Sequence, residues 1–312
     1  MKEVEELGRF IFKRLISMLI TIILVTTFTF ILMHSIPGGP FTKEKKVPPA
    51  IEEALEEKYN LNDPLPIQYI DYLKGIATFD LGPSFQYEGM SVNKLIKDGF
   101  PTSAKIGGLS VLLTLIVGIP FGILSALKQN SWQDYTVMFL ATLGITIPAF
   151  VLATILIYFF SLKLGLFPTF GIDDWTGYIL PVIALSGYSL SFITRLTRSS
   201  MLETMQQDYI RTVRAKGIPE RIVIFKHALR NSILPVVTYV GPMVAAILTG
   251  SFVIERIFAL PGMGRHFVQS ITNRDYTTIM GITVFYAAFL VIMVFIVDVI
   301  YVLVDPRIKF DK

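Results

Sequence analysis

The chain has 312 residues, 53% of them hydrophobic and 17% charged, with a mean hydropathy of +0.59 and a formal net charge of +4. A soluble domain carries roughly a quarter of its residues as charges, so this composition points to a membrane protein; the apolar content excludes a disordered chain, and the missing repeat excludes a collagen or coiled-coil rod. The absence of cysteine removes a disulfide framework, a thiol nucleophile and a cysteine-ligated metal, and the small surplus argues against nucleic acid as a partner.

A spanning helix needs about 20 mostly apolar residues. Six runs free of Asp, Glu, Lys and Arg meet that length: from 15 up to Lys43 (apolar to about Pro37), 106–127, 135–162, 175–194, 231–254 and 276–297. None alternates with period two, so helices are expected and a β-barrel is not. Lys13 and Arg14 before the first run also suit a signal peptide. The run is longer than a signal core, and Met33-His-Ser-Ile-Pro37 offers no small-residue cleavage site, so an uncleaved anchor is expected.

Residues 1–14 are read as a cytoplasmic segment, 15–37 as the first span, and 38–103 as an external cap. The cap region holds a short surface helix around Glu53 and Glu57 and a second around residues 65–73. Residues 104–312 are read as a five-helix core with a cytoplasmic loop at 195–230. With both termini on one side, that side carries sixteen Lys or Arg, against Lys163, Arg256, Arg265 and Arg274 in the short loops opposite. The positive-inside rule makes the richer side cytoplasmic. The breakers Gly118-Ile-Pro120-Phe-Gly122, Gly144 with Pro148, and Gly241-Pro242 fit either hinges around a pathway or ordinary helix packing.

The loop at 195–230 holds eight basic and three acidic residues. Asp208 to about Lys216 reads as a short helix, acid first and bases last, as the macrodipole favours. Gly217 suits a left-handed stop, and Pro219 bars continuation. A second amphipathic helix is expected over 220–229, leading into the fifth span. Charge alone is equally compatible with a basic patch that fixes topology and touches anionic lipid.

Here the residues carry a resemblance. Arg211-Thr212-Val-Arg214-Ala215-Lys216-Gly217, with Pro235 further on, resembles the EAA coupling loop of permease subunits of ATP-binding-cassette importers, although the literal E-A-A triplet is absent. Ile36-Pro-Gly-Gly-Pro-Phe41, Tyr59-x-Leu-Asn-Asp-Pro64, Asp80-x-Gly-x-Ser84, Ala126-Leu-Lys-Gln-Asn130, Leu260-Pro-Gly-Met-Gly264, Asn273-Arg-Asp-Tyr276 and Val297-Asp-Val-x-Tyr301-x-x-x-Asp305-Pro306 extend it over nearly the whole chain. Together they resemble the B-type permease subunit of oligopeptide importers, in the binding-protein-dependent transport inner-membrane component family.

The resemblance implies an all-α membrane protein with the six-helix type I importer permease fold and a small external domain between helices 1 and 2. It implies half of a translocation pathway, working by alternating access in the cell membrane. Its partners would be a second, C-type permease, two cytoplasmic ATPases that bind ATP and Mg, an external peptide-binding protein, oligopeptide substrate and membrane lipid. Tyr209, Arg211, Thr212, Arg214, Ala215, Lys216, Gly217, Glu220 and Arg221 would contact the ATPases, and Glu255, Leu260, Pro261, Gly262 and Gly264 would form a gate or docking loop. Dipeptides or nickel chelates are alternative cargoes for that family.

The residues agree on one point independently. No Lys is followed by Ser or Thr, so the phosphate loop of an ATPase is missing, and no cofactor is expected on this chain. His34, His227 and His266 show no metal-ligand spacing, and no catalytic cluster stands out. An ATPase-independent secondary transporter would be expected to show internal repeats, and none is evident. Asp298 reads as a pathway acid or as an interfacial acid paired with Arg195 or Arg198; the second is preferred.

Overall fold

Backbone that crosses lipid must close its hydrogen bonds within the segment, and this chain does so with helices. The computed structural model describes residues 2–37, 39–41, 49–87, 89–249 and 251–304. Among these there is no strand, only an isolated bridge between Pro83 and Ser91. The helices are α1 (Lys2–Ser35), α2 (Pro49–Lys58), α3 (Leu65–Ala77), α4 (Val92–Leu127), α5 (Trp132–Thr146) and α6 (Ala149–Leu156), which a π turn extends to Lys163. They continue with α7 (Ile179–Met205), α8 (Asp208–Ala215), α9 (Glu220–Ile222), α10 (Leu229–Ser232), α11 (Leu234–Thr249), α12 (Phe252–Ile257), α13 (Met263–Asn273) and α14 (Tyr276–Val304).

Five stretches are long and apolar enough to cross a membrane: Gly8–Ser35, Val92–Leu127, Trp175–Met205, Leu234–Ile257 and Tyr276–Val299. The expected span over 135–162 is broken at the expected breaker, Pro148. It is a pair, Trp132–Thr146 and Ala149–Lys163, bent by 109° at the join. Pro148 has no N–H to give, and its ring drives the preceding residue out of the helical region. Ile147 accordingly sits at φ −83°, ψ 118°. Among the described residues there are therefore five candidate spans, and a sixth if the bent pair crosses.

The helix expected to start at 106 begins instead at Val92. Val92, Leu95 and Ile96 are buried at helical spacing while Asn93 and Lys97 interrupt the apolar run. Amphipathic turns thus extend the helix past the stretch that hydropathy marks.

The chain divides into two units. The first comprises residues 1–102 and 261–292, with 309–312. In it, Phe30 and His34 of α1 pack rings with each other, and Phe30 also with Tyr69 and Tyr72 of α3. Thr27 Oγ1 and Tyr69 Oη share a 2.6 Å bond, and His34 Nε2 lies 3.2 Å from Gln68 Oε1. Buried Asp275, at the start of α14, accepts from Ser84 Oγ (2.5 Å), the Phe85 N–H (3.1 Å) and Thr278 Oγ1 (2.8 Å). One carboxylate thereby ties the loop before α4 to a segment about 190 residues later.

The second unit comprises residues 103–260 and 293–308. Its centre is α7, against which α5, α6 and α11 all pack. Ile106, Leu180, Ala184, Ile193, Met243, Ile254 and Phe258 belong to one buried cluster. Gly118 and Gly122, four apart on α4, meet α7 directly: a Cβ on Gly122 would stand 2.6 Å from the Thr194 carbonyl oxygen. This is the small-xxx-small contact of membrane helices. α4 runs unbroken through Gly118, Pro120 and Gly122, so those breakers serve packing rather than a hinge.

Candidate functional site

The basic loop folds as two helical pieces on the ends of α4 and α7. Asp208 and Arg211 lie one turn apart on α8, 3.5 Å from each other and almost fully solvated. Ile210 is the residue of α8 that turns inward, fully buried. It joins Val223, Ala228, Met201 and Ala126 in a small apolar core, with Val213 and Ile218 packed against it. The Ser232 hydroxyl adds a bond to the Met201 sulfur at 2.8 Å.

The stop between the two pieces is as the sequence predicts. α8 ends at Ala215, and Gly217 adopts φ +72°, where an L side chain is disfavoured. Pro219 caps α9, after which a π-helical turn (Val223–Ala228) carries the chain into α10. Arg214 closes the turn with a fork on Glu220: Nε donates to Oε2 at 3.2 Å and Nη2 to Oε1 at 2.6 Å. That bonding holds the Glu220 carboxyl below its ordinary range and raises Arg214. Tyr209 Oη accepts from Asn231 Nδ2 at 2.8 Å, a second tie between the pieces.

The nine residues expected to contact an ATPase fall on this one motif, and all nine are exposed. Ile222 and Phe225 add exposed apolar surface beside them. The result is a rigid basic knob with an apolar spot, seated on buried side chains of its own unit.

A second cluster beneath the knob escaped the sequence reading. Asp134, in the first turn of α5, is almost fully buried. It accepts Arg198 Nε at 2.7 Å and Nη2 at 2.8 Å, the Ser125 hydroxyl, and the Asn130 N–H at 3.0 Å. The α4–α5 turn, with Asn130 at φ +61°, is thereby locked to α7 seven residues before that helix ends. Ser131 followed by Asp134 is a helix-start signature, and it was the available signal. Of the bases expected near Asp298, Arg198 is held by Asp134 and Arg195 donates to Thr142.

In the proposed gate or docking loop, Glu255 and Leu260 are fully buried in the second unit, and Ser251 donates to Glu255 Oε1 at 2.5 Å. Gly262 and Gly264 are buried in the first unit, and Pro261 is exposed. Asp305 and the positions after it lie outside the described residues.

Comparison with known proteins accords with this geometry. Residues 118–310 match the family model described as binding-protein-dependent transport system inner membrane component, and residues 7–107 match that family's N-terminal model. The dipeptide transport system permease protein DppB of Bacillus subtilis is 50% identical over 98% of this chain and 99% of its own length. The oligopeptide transport system permease protein OppB of Salmonella typhimurium is 43% identical over 97% of this chain and 99% of its own. Among solved structures, the inward-facing MetNI methionine ABC transporter matches with a TM-score of 0.55 at 17% identity, covering 68% of this chain and 97% of that one. An amino acid ABC transporter structure matches at 0.50 and 17%, over 69% of this chain and 94% of the other, and both show the fold alone. By its matched sequence and its helices, this chain belongs to the binding-protein-dependent transport system inner membrane component family, as a multi-pass membrane permease of the type I importer fold.

Proposed function

We propose that this chain is one of two permease subunits of an ATP-driven peptide importer, with the α8–α10 knob as its coupling element. Full-length similarity to permeases of dipeptide and oligopeptide systems carries the reading. The knob gives it a mechanism. Two cytoplasmic ATPases hold Tyr209, Arg211, Thr212, Ala215, Lys216 and Arg221 in a groove and approach each other when ATP binds. The displacement enters through Ile210 and Val223, reaches Met201 of α7 and Ala126 of α4, and turns these helices as rigid bodies. ATP binding favours one arrangement only by its differential affinity for the two states. Glu255, Leu260, Pro261, Gly262 and Gly264 remain the gate or docking loop of this proposal, in which exposed Pro261 would meet an external peptide-binding protein while the buried residues shape the turn. ATP and Mg are bound by the ATPases and not by this chain, and the termini lie in the cytoplasm.

The 50% match to a dipeptide permease supports short peptides as a second reading within the same class. The test is uptake of labelled dipeptides and hexapeptides into liposomes holding both permeases and both ATPases, with and without the binding protein. ATP-dependent uptake is expected, and Gly217→Pro or Arg211→Glu abolishes both uptake and peptide-stimulated hydrolysis. Uptake driven by a proton gradient without ATP would reject the importer, and unchanged coupling in both variants would reject the knob.

A further inference from the structure

The first unit contains an open apolar cavity of about 920 Å³ between α1, α13 and the start of α14. Leu24, Val25, Phe28, Leu32, Phe267 and Ile279 supply much of its wall, and Arg274 is the one charged residue that lines it. Its position has a natural scale. Along α1 the lining runs from Leu24 to Ile36, a rise of about 18 Å. One leaflet of bilayer hydrocarbon is about 15 Å deep. Arg274 stands at the end where the Gly8–Ser35 span stops and the Tyr276–Val299 span starts. The groove therefore begins at a membrane surface and ends near the midplane.

Arg274 is unusual in two ways. It is the C-cap of α13 with φ +58°, ψ 32°, a left-handed geometry that is unfavourable for a residue with a Cβ. Glycine would be unstrained there, so the sequence accepts that strain at a position where it keeps a side chain. Its guanidinium donates to the Pro37 carbonyl at 2.9 Å, and no carboxylate pairs with it among the described residues. A guanidinium has five donors and suits phosphate bidentately. Most are left for a ligand.

We propose that this groove is a phospholipid site: one acyl chain lies along α1, and the lipid phosphate sits on Arg274. An apolar slot of leaflet depth, with a cation at its surface end that no carboxylate among the described residues pairs, matches an anionic-headed amphiphile. A helix of the second permease would fill the slot without needing the cation.

The experiment uses the assembled transporter, extracted from membranes in mild detergent and read by native mass spectrometry. The parent is expected to keep one phospholipid per permease through exhaustive detergent exchange. Arg274→Gly, which keeps the left-handed turn, and Val25→Trp, which fills the slot, should each cut retained lipid at least tenfold, while Arg274→Lys keeps most of it. Parent-level lipid in Val25→Trp overturns the proposal, and this variant decides alone if Arg274→Gly does not assemble. A cysteine at Phe28 that cross-links to the second permease in the purified complex also overturns it, by showing a protein occupant. None of these readouts uses transport, so the proposal stands or falls apart from the cargo.

Discussion

Asp134 and Glu220 show how differently two acid–arginine pairs act in one unit. Asp134 is buried, accepts four hydrogen bonds, and faces an Arg198 with about a quarter of its side chain exposed (24%). Removing the acid leaves an uncompensated cation in a membrane helix. We expect Asp134→Leu to destabilise the protein by about 3 kcal/mol, the low end for a broken buried pair because Arg198 keeps some solvent. The double variant Asp134→Leu/Arg198→Met should recover most of that, read as the thermal midpoint in detergent; a double variant no better than the single would place the loss in the Ser125 and Asn130 bonds rather than in a stranded Arg198. The Arg214–Glu220 fork is half exposed on both sides, so it contributes only about 0.5 kcal/mol. Its pH dependence has a definite sign. The Glu220 carboxyl is depressed, so its contribution is complete above the ordinary carboxylate value of about 4.3 and is lost as pH falls through the lowered one. A spin label on the knob should report equal order at pH 7 and 5 in the parent and loosening below pH 4. Glu220→Gln should be loose throughout.

At the scale of elements, the sequence carries local information well and angles poorly. α8, the Gly217 stop and the helix after Pro219 are legible because each rests on chemistry within four residues. Pro148 announces a break, but the 109° turn is set by how α5 and α6 both lie on α7, and no local residue encodes that. The Ser84–Asp275 and Asp134–Arg198 bonds were invisible because they link residues 191 and 64 positions apart. The glycines of α4 stood undecided between hinge and packing until α7 was seen against them. Gly122→Leu tests that outcome. Its side chain would collide with the Thr194 carbonyl and the Thr197 side chain, an overpacking cost of about 1–3 kcal/mol. We expect lower thermal stability and weaker assembly, with Gly118→Ala, whose contacts are 3.1 Å or more, affected less. A hinge would reverse this, leaving stability intact and slowing transport.

At the scale of the whole molecule, the positive-inside rule and the bent pair together predict a topology with a sharp consequence. If α5 and α6 with its π turn cross the bilayer as one broken span, the α4–α5 turn and the segment after Lys163 lie on opposite sides. The chain contains no cysteine, so a single introduced thiol has no background. Exposed Leu166 and Asp174 follow the bent pair, and exposed Lys128 and Lys216 flank α5 and α8. In intact cells or right-side-out vesicles, a membrane-impermeant maleimide should label Leu166→Cys and Asp174→Cys but reach Lys128→Cys and Lys216→Cys only after permeabilisation. Labelling of Lys128 and Leu166 from the same side would make the pair a re-entrant hairpin and reduce the crossings to five. The knob would still need to face the ATPases, because it sits between Trp175–Met205 and Leu234–Ile257 whichever way the pair runs. An odd number of crossings would then put the N-terminus, with Lys2, Arg9, Lys13 and Arg14, on the outer side, against the electrostatic preference that orients the first helix. The charge distribution therefore favours the six-crossing outcome, and the Lys128/Leu166 comparison decides it in one experiment.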